Sequence, residues 1–212
     1  MKKKSTRSSR KSVENKLTKN DKAFIAFVKA ECKRTNVKCS LRPTKWLKCD
    51  GKACSGYFDG IENELAVSMN RKDSLGILVH EYCHLTQWED GIDLWKKADV
   101  SLEKLNDWLD GKPVRDIAKH IAVARDLELD NERRSAQMIK KWKLSIDVED
   151  YIRRANAYVQ FYNWLYYSRM WSKPKNTPYD NAIVLGAMSS KFNMKYHEMP
   201  HKVFDAFNAA GI

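Results

Sequence analysis

Apolar positions along the chain change period twice, and their order predicts one helix, a group of short strands, then a run of helices. Thr18 with Asp21 three residues later has the form of a helix cap. Behind it Phe24, Ile25, Phe27, Val28 and Cys32 make an apolar stripe to about Arg34. Strand-like runs follow at 37–41, 46–47, 53–58 and 64–69. Pro43, which cannot donate to a ladder, ends the first, and Asp50-Gly51 and Asp59-Gly60 are turn signals. A helix is predicted over 74–88, capped by Asp73 or Ser74, with Ile77, Leu78, Leu85 and Trp88 as its apolar side; Glu89-Asp90-Gly91 closes it. A short helix over 101–109 stops at Asp110-Gly111. Pro113 suits the first turn of a long helix reaching about Lys143. Asp147 and Asp150 open an aromatic-rich helix through Trp171, whose Tyr151, Tyr158, Phe161, Tyr162 and Trp164 read as packing residues. One or two short helices fit 182–209, around Pro200. The expected class is α+β, mostly helical, with a small antiparallel sheet packed on the 74–88 helix.

Inside that helix lies His80-Glu81-Tyr82-Cys83-His84, of the form His-Glu-x-x-His. Residues four apart share a helix face, so two imidazoles can reach one zinc ion with the glutamate beside them as general base. With 5 His in 212 residues, and Glu at its frequency here, chance supplies about 0.006 such motifs. A third protein ligand is required, with water in the fourth position of a catalytic site. Glu128 and Glu132 are the candidates, four apart on the long helix. Two stacked carboxylates need a cation between them, either a metal ion or Arg125 and Arg133. Glu128 continues the stripe of Ile117, Ile121 and Ala124, so it points inward, where an unpaired charge is costly.

The two segments resemble the gluzincin-type zinc metallopeptidases, which join His-Glu-x-x-His to a downstream helix carrying Glu-x-x-x-Asp/Asn. The resemblance covers roughly residues 50–140. It implies a zincin-like domain, Zn2+ bound by His80, His84 and Glu128, Glu132 supporting a ligand histidine, and Glu81 as catalytic base in peptide-bond hydrolysis. The run Glu128 to Ile139 is also similar to the Glu-x-x-Ala-Asn-x-x-Ala form of small intracellular metallopeptidases. There Asn131, Glu132 and Ser135 depart from the pattern, which leaves Glu132 open as the alternative ligand. Ser55-Gly56-Tyr57-Phe58-Asp59, with Gln87-Trp88 after the motif, resembles uncharacterised phage-encoded metallopeptidases. The resemblance further implies a sheet whose edge strand takes an extended peptide, at 57–59 or 65–68. Tyr151, Tyr158, His120 and His197 are the candidates for stabilising an oxyanion.

Charge adds a tail to this picture. Of the net +12, the first 22 residues supply +7, and residues 1–16 are Ser/Lys/Arg-rich with almost nothing apolar, the composition of a disordered segment. One domain is expected over 17–212. The basic stretch 1–22 admits weak nucleic-acid contact by counterion release. The alternative to an enzyme is therefore a zincin-scaffold binding protein, nucleic-acid associated, without peptidase activity. No apolar run is long enough for a membrane helix, and the five cysteines, an odd number, fit a reducing cytoplasmic setting. Cys32, Cys39, Cys49 and Cys54 have no familiar zinc-knuckle spacing, so a second metal site is the lesser reading beside ordinary thiols.

Overall fold

Among the residues that this computed structural model describes (17–49, 51–173 and 175–212), seven helices and five short strands follow one another. The tail expected at 1–16 lies outside them. α1 (Lys19–Arg34) leads to β1 (Lys38–Arg42), β2 (Leu47–Cys49), β3 (Lys52–Cys54), β4 (Gly56–Asp59) and β5 (Glu64–Ser68). Then come α2 (Ser74–Glu89), α3 (Asp93–Leu109), α4 (Ile117–Trp142), α5 (Val148–Ser168), α6 (Ala182–Ala187) and α7 (His201–Ala209). The class is α+β and mostly helical, as the periodicity predicts.

α1 starts as expected. Thr18 accepts from the Asp21 amide, and the Asp21 carboxylate accepts from the Thr18 amide at 2.7 Å. The same carboxylate accepts from Ser145 N (2.9 Å) and Ser145 Oγ (2.6 Å), so a local cap also ties α1 to the α4–α5 turn. Those hydrogen bonds, outweighing burial, hold the Asp21 carboxyl below the usual carboxylate range.

The sheet differs from expectation in one pairing. β4 and β5 are antiparallel, but β1 lies parallel to β5, in the order β1-β5-β4. β2 and β3 form a separate hairpin, which the 53–58 run had merged with β4. That hairpin lets the chain return before β5 is laid beside β1. Three helix bounds also shift. α3 begins at Asp93 rather than 101, because Leu94, Ala98, Ser101 and Leu105 form one stripe while Lys96, Lys97 and Asp99 lie on its wet side. α4 begins at Ile117 rather than Pro113, since Asp116 takes a left-handed conformation (φ 56°). α5 ends at Ser168, with Arg169 left-handed (φ 48°); Trp171 lies beyond and packs its ring on Phe161 and Tyr162.

Two large apolar clusters, with a smaller third of Leu129, Val159 and Tyr196, organise the described residues. The first joins Phe24 and Val28 of α1, Leu65 and Val67 of β5, Leu78, Tyr82 and Leu85 of α2, and Ile139 of α4. The second joins Leu105 of α3, Ile121 and Ala124 of α4, Phe161 and Leu165 of α5, Val184 of α6 and Phe207 of α7. Full burial of each Val, Leu, Ile or Phe side chain among them contributes about 1.5–3 kcal/mol. α2 crosses α4 at the seam between the clusters, and the motif lies on that crossing.

Candidate metal centre

α2 is held from both sides. One side carries Leu75, Leu78, Val79, Tyr82 and Leu85 into the first cluster. Against another passes β4, and Gly56 sets how closely. A Cβ there would lie 2.6 Å from Ile77 Cγ2 and 3.1 Å from Glu81 Cγ. A glycine is therefore required for this strand to run beside Glu81.

His80 and His84 point from α2 towards α4, with Nε2 atoms 3.1 Å apart. Glu128 Oε2 lies 3.6 Å from each of them. These three side chains are the one group among the described residues able to hold a metal ion. A tetrahedral ion with bonds of about 2.0–2.1 Å separates its ligands by about 3.4 Å, which the observed spacings bracket. Glu128 Oε2 is buried with no hydrogen-bond partner, a costly state for a carboxylate oxygen without a cation.

The tautomers lead to the same point. Gln87 Nε2 donates to Leu127 O (3.0 Å) and to Asp130 Oδ2 (2.8 Å), which turns Gln87 Oε1 to His84 Nδ1 at 2.9 Å. His84 Nδ1 must then carry the proton, leaving Nε2 with a bare lone pair. His80 Nδ1 donates to Glu132 Oε1 at 3.1 Å, which bares its Nε2 likewise. The Asn131 amide is 3.0 Å from His80 Nδ1 while Asn131 Oδ1 is left unpaired. Turning that amide would give His80 Nδ1–H a second acceptor. Two imidazole lone pairs and one carboxylate oxygen thus converge on one point, an arrangement that only protons or a cation relieve.

In the protein without a metal ion, burial works against charging His80, but Glu132, Glu81 and Glu128 outweigh it and lift the imidazole to about 10. Burial likewise pushes Glu128 up, and the two histidines overcome it, leaving the carboxyl below its ordinary range. Glu81 goes the other way. It is 7% exposed, and burial raises its carboxyl despite the pull of His80 and His84. Among the described residues its carboxylate has no hydrogen bond, so both oxygens are available.

Glu132 lies outside the triad. One oxygen takes His80 Nδ1–H and the other accepts from Tyr151 at 2.5 Å. Glu128 has Tyr158 and Tyr162 near its second oxygen, each at 3.4 Å, with the two hydroxyls 3.2 Å apart. Burial and the adjacent carboxylates push all three tyrosines well above their ordinary value, so they remain donors. The arginine alternative does not occur. Arg125 donates to Asp126, Asn163 and His197, and Arg133 lies over the Tyr196 ring.

Of the four oxyanion candidates, only Tyr158 is at the triad, its ring centroid 6.2 Å from that of His80. Tyr151 serves Glu132, His120 faces Ser101 Oγ at 3.3 Å, and His197 faces Arg125. Gln87, Asn131, Tyr162 and Trp95 were not anticipated. Helical spacing offered a signal for two of them: Gln87 is three residues after His84, and Tyr162 four after Tyr158. Trp95, on α3 and 5.9 Å ring to ring from His84, had none. The four cysteines are not gathered into a second metal group among the described residues. No described helix is long and apolar enough to cross a membrane. No protein family, curated protein or solved structure matches this chain.

Proposed function

We propose that the protein is a zinc-dependent metallopeptidase, with His80, His84 and Glu128 as zinc ligands and Glu81 as general base. The convergence of two bare Nε2 lone pairs and the orphaned Glu128 Oε2 carries this reading. Two imidazoles and one carboxylate are a donor set suited to zinc with a fourth position left open. When bound, zinc supplies Lewis acidity towards a carbonyl oxygen and lowers the pKa of water.

The remaining chemistry belongs to the chain. Glu81, buried, unbonded and with a raised carboxyl, takes a proton from the attacking water and passes it to the departing amine. β4 is one of the two outer strands of its sheet and the one that passes Glu81, at Gly56, so its backbone edge away from β5 suits an extended substrate chain. Residues 65–68, the other candidate edge, belong to the central strand. The Tyr158 hydroxyl, at the same 3.4 Å from Glu128 Oε1 as that of Tyr162, is a donor beside the triad for a developing oxyanion. Glu132, Asn131 and Gln87 orient the two imidazoles.

The test is Glu81→Gln assayed beside wild type on a mixed peptide library, with zinc measured in each by mass spectrometry. Zinc is expected at one ion per chain in both, with hydrolysis lower by about 10²–10⁴-fold in the variant. Wild type without zinc, or equal hydrolysis by Glu81→Gln, would refute the proposal.

A further inference from the structure

α1 has an outer face that the fold leaves bare. Phe24, Val28 and Cys32 point into the first apolar cluster, and Asp21 on the same side is held by Ser145. On the opposite side Lys19, Lys22, Lys29 and Lys33 fall within an arc of about 80°, interleaved with Ala23, Ala26 and Ala30, and every one of these residues is exposed. Among the described residues none of the four lysines has an acidic partner; the nearby acids Glu31 and Glu64 are paired with Arg34 and Lys38. At about 1.5 Å of rise per residue, the ridge runs about 21 Å from Lys19 to Lys33. At one end Lys29 and Lys33 also line an open cleft of about 580 Å³, with Lys38, Asn36 and Asn63 against the single acid Glu62. At the other end the chain continues into residues 1–16, whose sequence has seven Lys and Arg against Glu14.

We propose that this face of α1 binds the phosphodiester backbone of a duplex nucleic acid, with the lysine-lined cleft taking phosphates at the end of the ridge. A row of cations without an acid among them matches a partner whose negative charges also lie in a row. A duplex presents one phosphate per about 3.4 Å of axis on each strand, so a ridge of about 21 Å follows about six of them. The alanines between the lysines let the two backbones approach closely. Asn36 and Asn63 add amide donors of the kind that phosphate oxygens accept. An anionic membrane fits the face less well, because a helix lying in a bilayer surface buries an apolar side there. The large apolar side chains of α1, Ile25 and Phe27 included, are already packed against the cluster. Contacts to phosphate carry no sequence information, so binding is indifferent to base sequence. The surface is independent of the metal centre, whose candidate ligands belong to α2 and α4.

The test is binding of the full chain to a fluorescent DNA duplex, to the RNA duplex of the same sequence and to phosphatidylserine vesicles, with the duplexes followed by anisotropy from about 50 to about 200 mM salt. Lys19→Gln, Lys22→Gln, Lys29→Gln and Lys33→Gln combined should lower the slope of log K against log salt by about 3.6 on DNA, four counterions' worth. Over that salt range wild type then loses on the order of a hundredfold more affinity than the variant. The same exchange at Lys96, Lys97, Lys191 and Lys202, exposed lysines outside α1, removes equal charge and should leave the slope within about 1 of wild type. A full chain with every Lys and Arg of residues 1–16 changed to Gln should still bind and keep the ridge's share of the slope. The duplex bound more tightly tells DNA from RNA as the source of the backbone. An unchanged slope in the ridge variant, an equal reduction by the two lysine sets, or loss of all binding in the tail variant would overturn the proposal. Wild type that binds neither duplex would also overturn it, and binding to the vesicles instead would assign the face to a membrane.

Discussion

Replacing Gln87 by Met tests whether the site is built to leave two imidazole nitrogens bare. Gln87 makes three hydrogen bonds, to His84 Nδ1, Leu127 O and Asp130 Oδ2. Met keeps the length and fills the buried space, so the cost is confined to those bonds. Two of the three partners keep another: Asp130 Oδ2 still accepts from Arg134 Nε at 2.9 Å, and Leu127 O remains inside α4. His84 Nδ1 alone is orphaned. The metal-free protein should lose about 1–2 kcal/mol, or roughly 2–8 °C in melting temperature. Losing the group that orients a ligand histidine costs about 10–100-fold in metal affinity, equivalent to roughly 1.4–2.7 kcal/mol. The assay is zinc titration against a chromophoric chelator, beside thermal melts with and without metal. Affinity within twofold of wild type would refute the tautomer reasoning. Complete loss of binding from a folded variant would also refute it, because Gln87 would then be acting as a ligand.

Glu128→Gln should abolish stoichiometric zinc, whereas Glu132→Gln should retain it about 10–100-fold more weakly; zinc lost only in the Glu132 variant would reverse their roles. Gly56→Ala should cost about 1–3 kcal/mol in chemical denaturation and reduce hydrolysis, as β4 is displaced from Ile77 and Glu81; a neutral outcome would mean that the strand does not need its close approach. Glu64, held down to about 2 by Ser40, Lys38 and Tyr57, contributes stability that is present above the unfolded pKa of about 4.3 and lost as pH falls towards 2. After allowance for solvent screening this is about 1–2 kcal/mol. Glu64→Gln should therefore flatten the acid limb of the stability curve between those values, followed by chemical denaturation across that pH range.

The local elements were legible because their causes are local. The Thr18 cap, the α1 stripe and the i, i+4 placement of His80 and His84 depend on helix geometry within a few residues. The stripe of Ile117, Ile121 and Ala124 likewise turned Glu128 inward. Where polar residues masked a stripe, as Lys96, Lys97 and Asp99 did in α3, the bound was missed by eight residues.

What the tertiary structure alone decided is how these pieces meet. Glu128 and Glu132 share a helix and a spacing, and nothing between residues 128 and 132 says which one faces the two Nε2 atoms. The crossing of α2 over α4 at the seam of two apolar clusters decides it, sending Glu132 to His80 Nδ1 and Tyr151 and leaving Glu128 Oε2 unpartnered. Gln87, Asn131 and Tyr162 gain their roles from that same crossing and from α5 packed on α4. The parallel β1–β5 pair, and with it the choice of β4 as the outer strand beside Glu81, depends on contacts far apart in the chain, which the alternation within one strand does not encode.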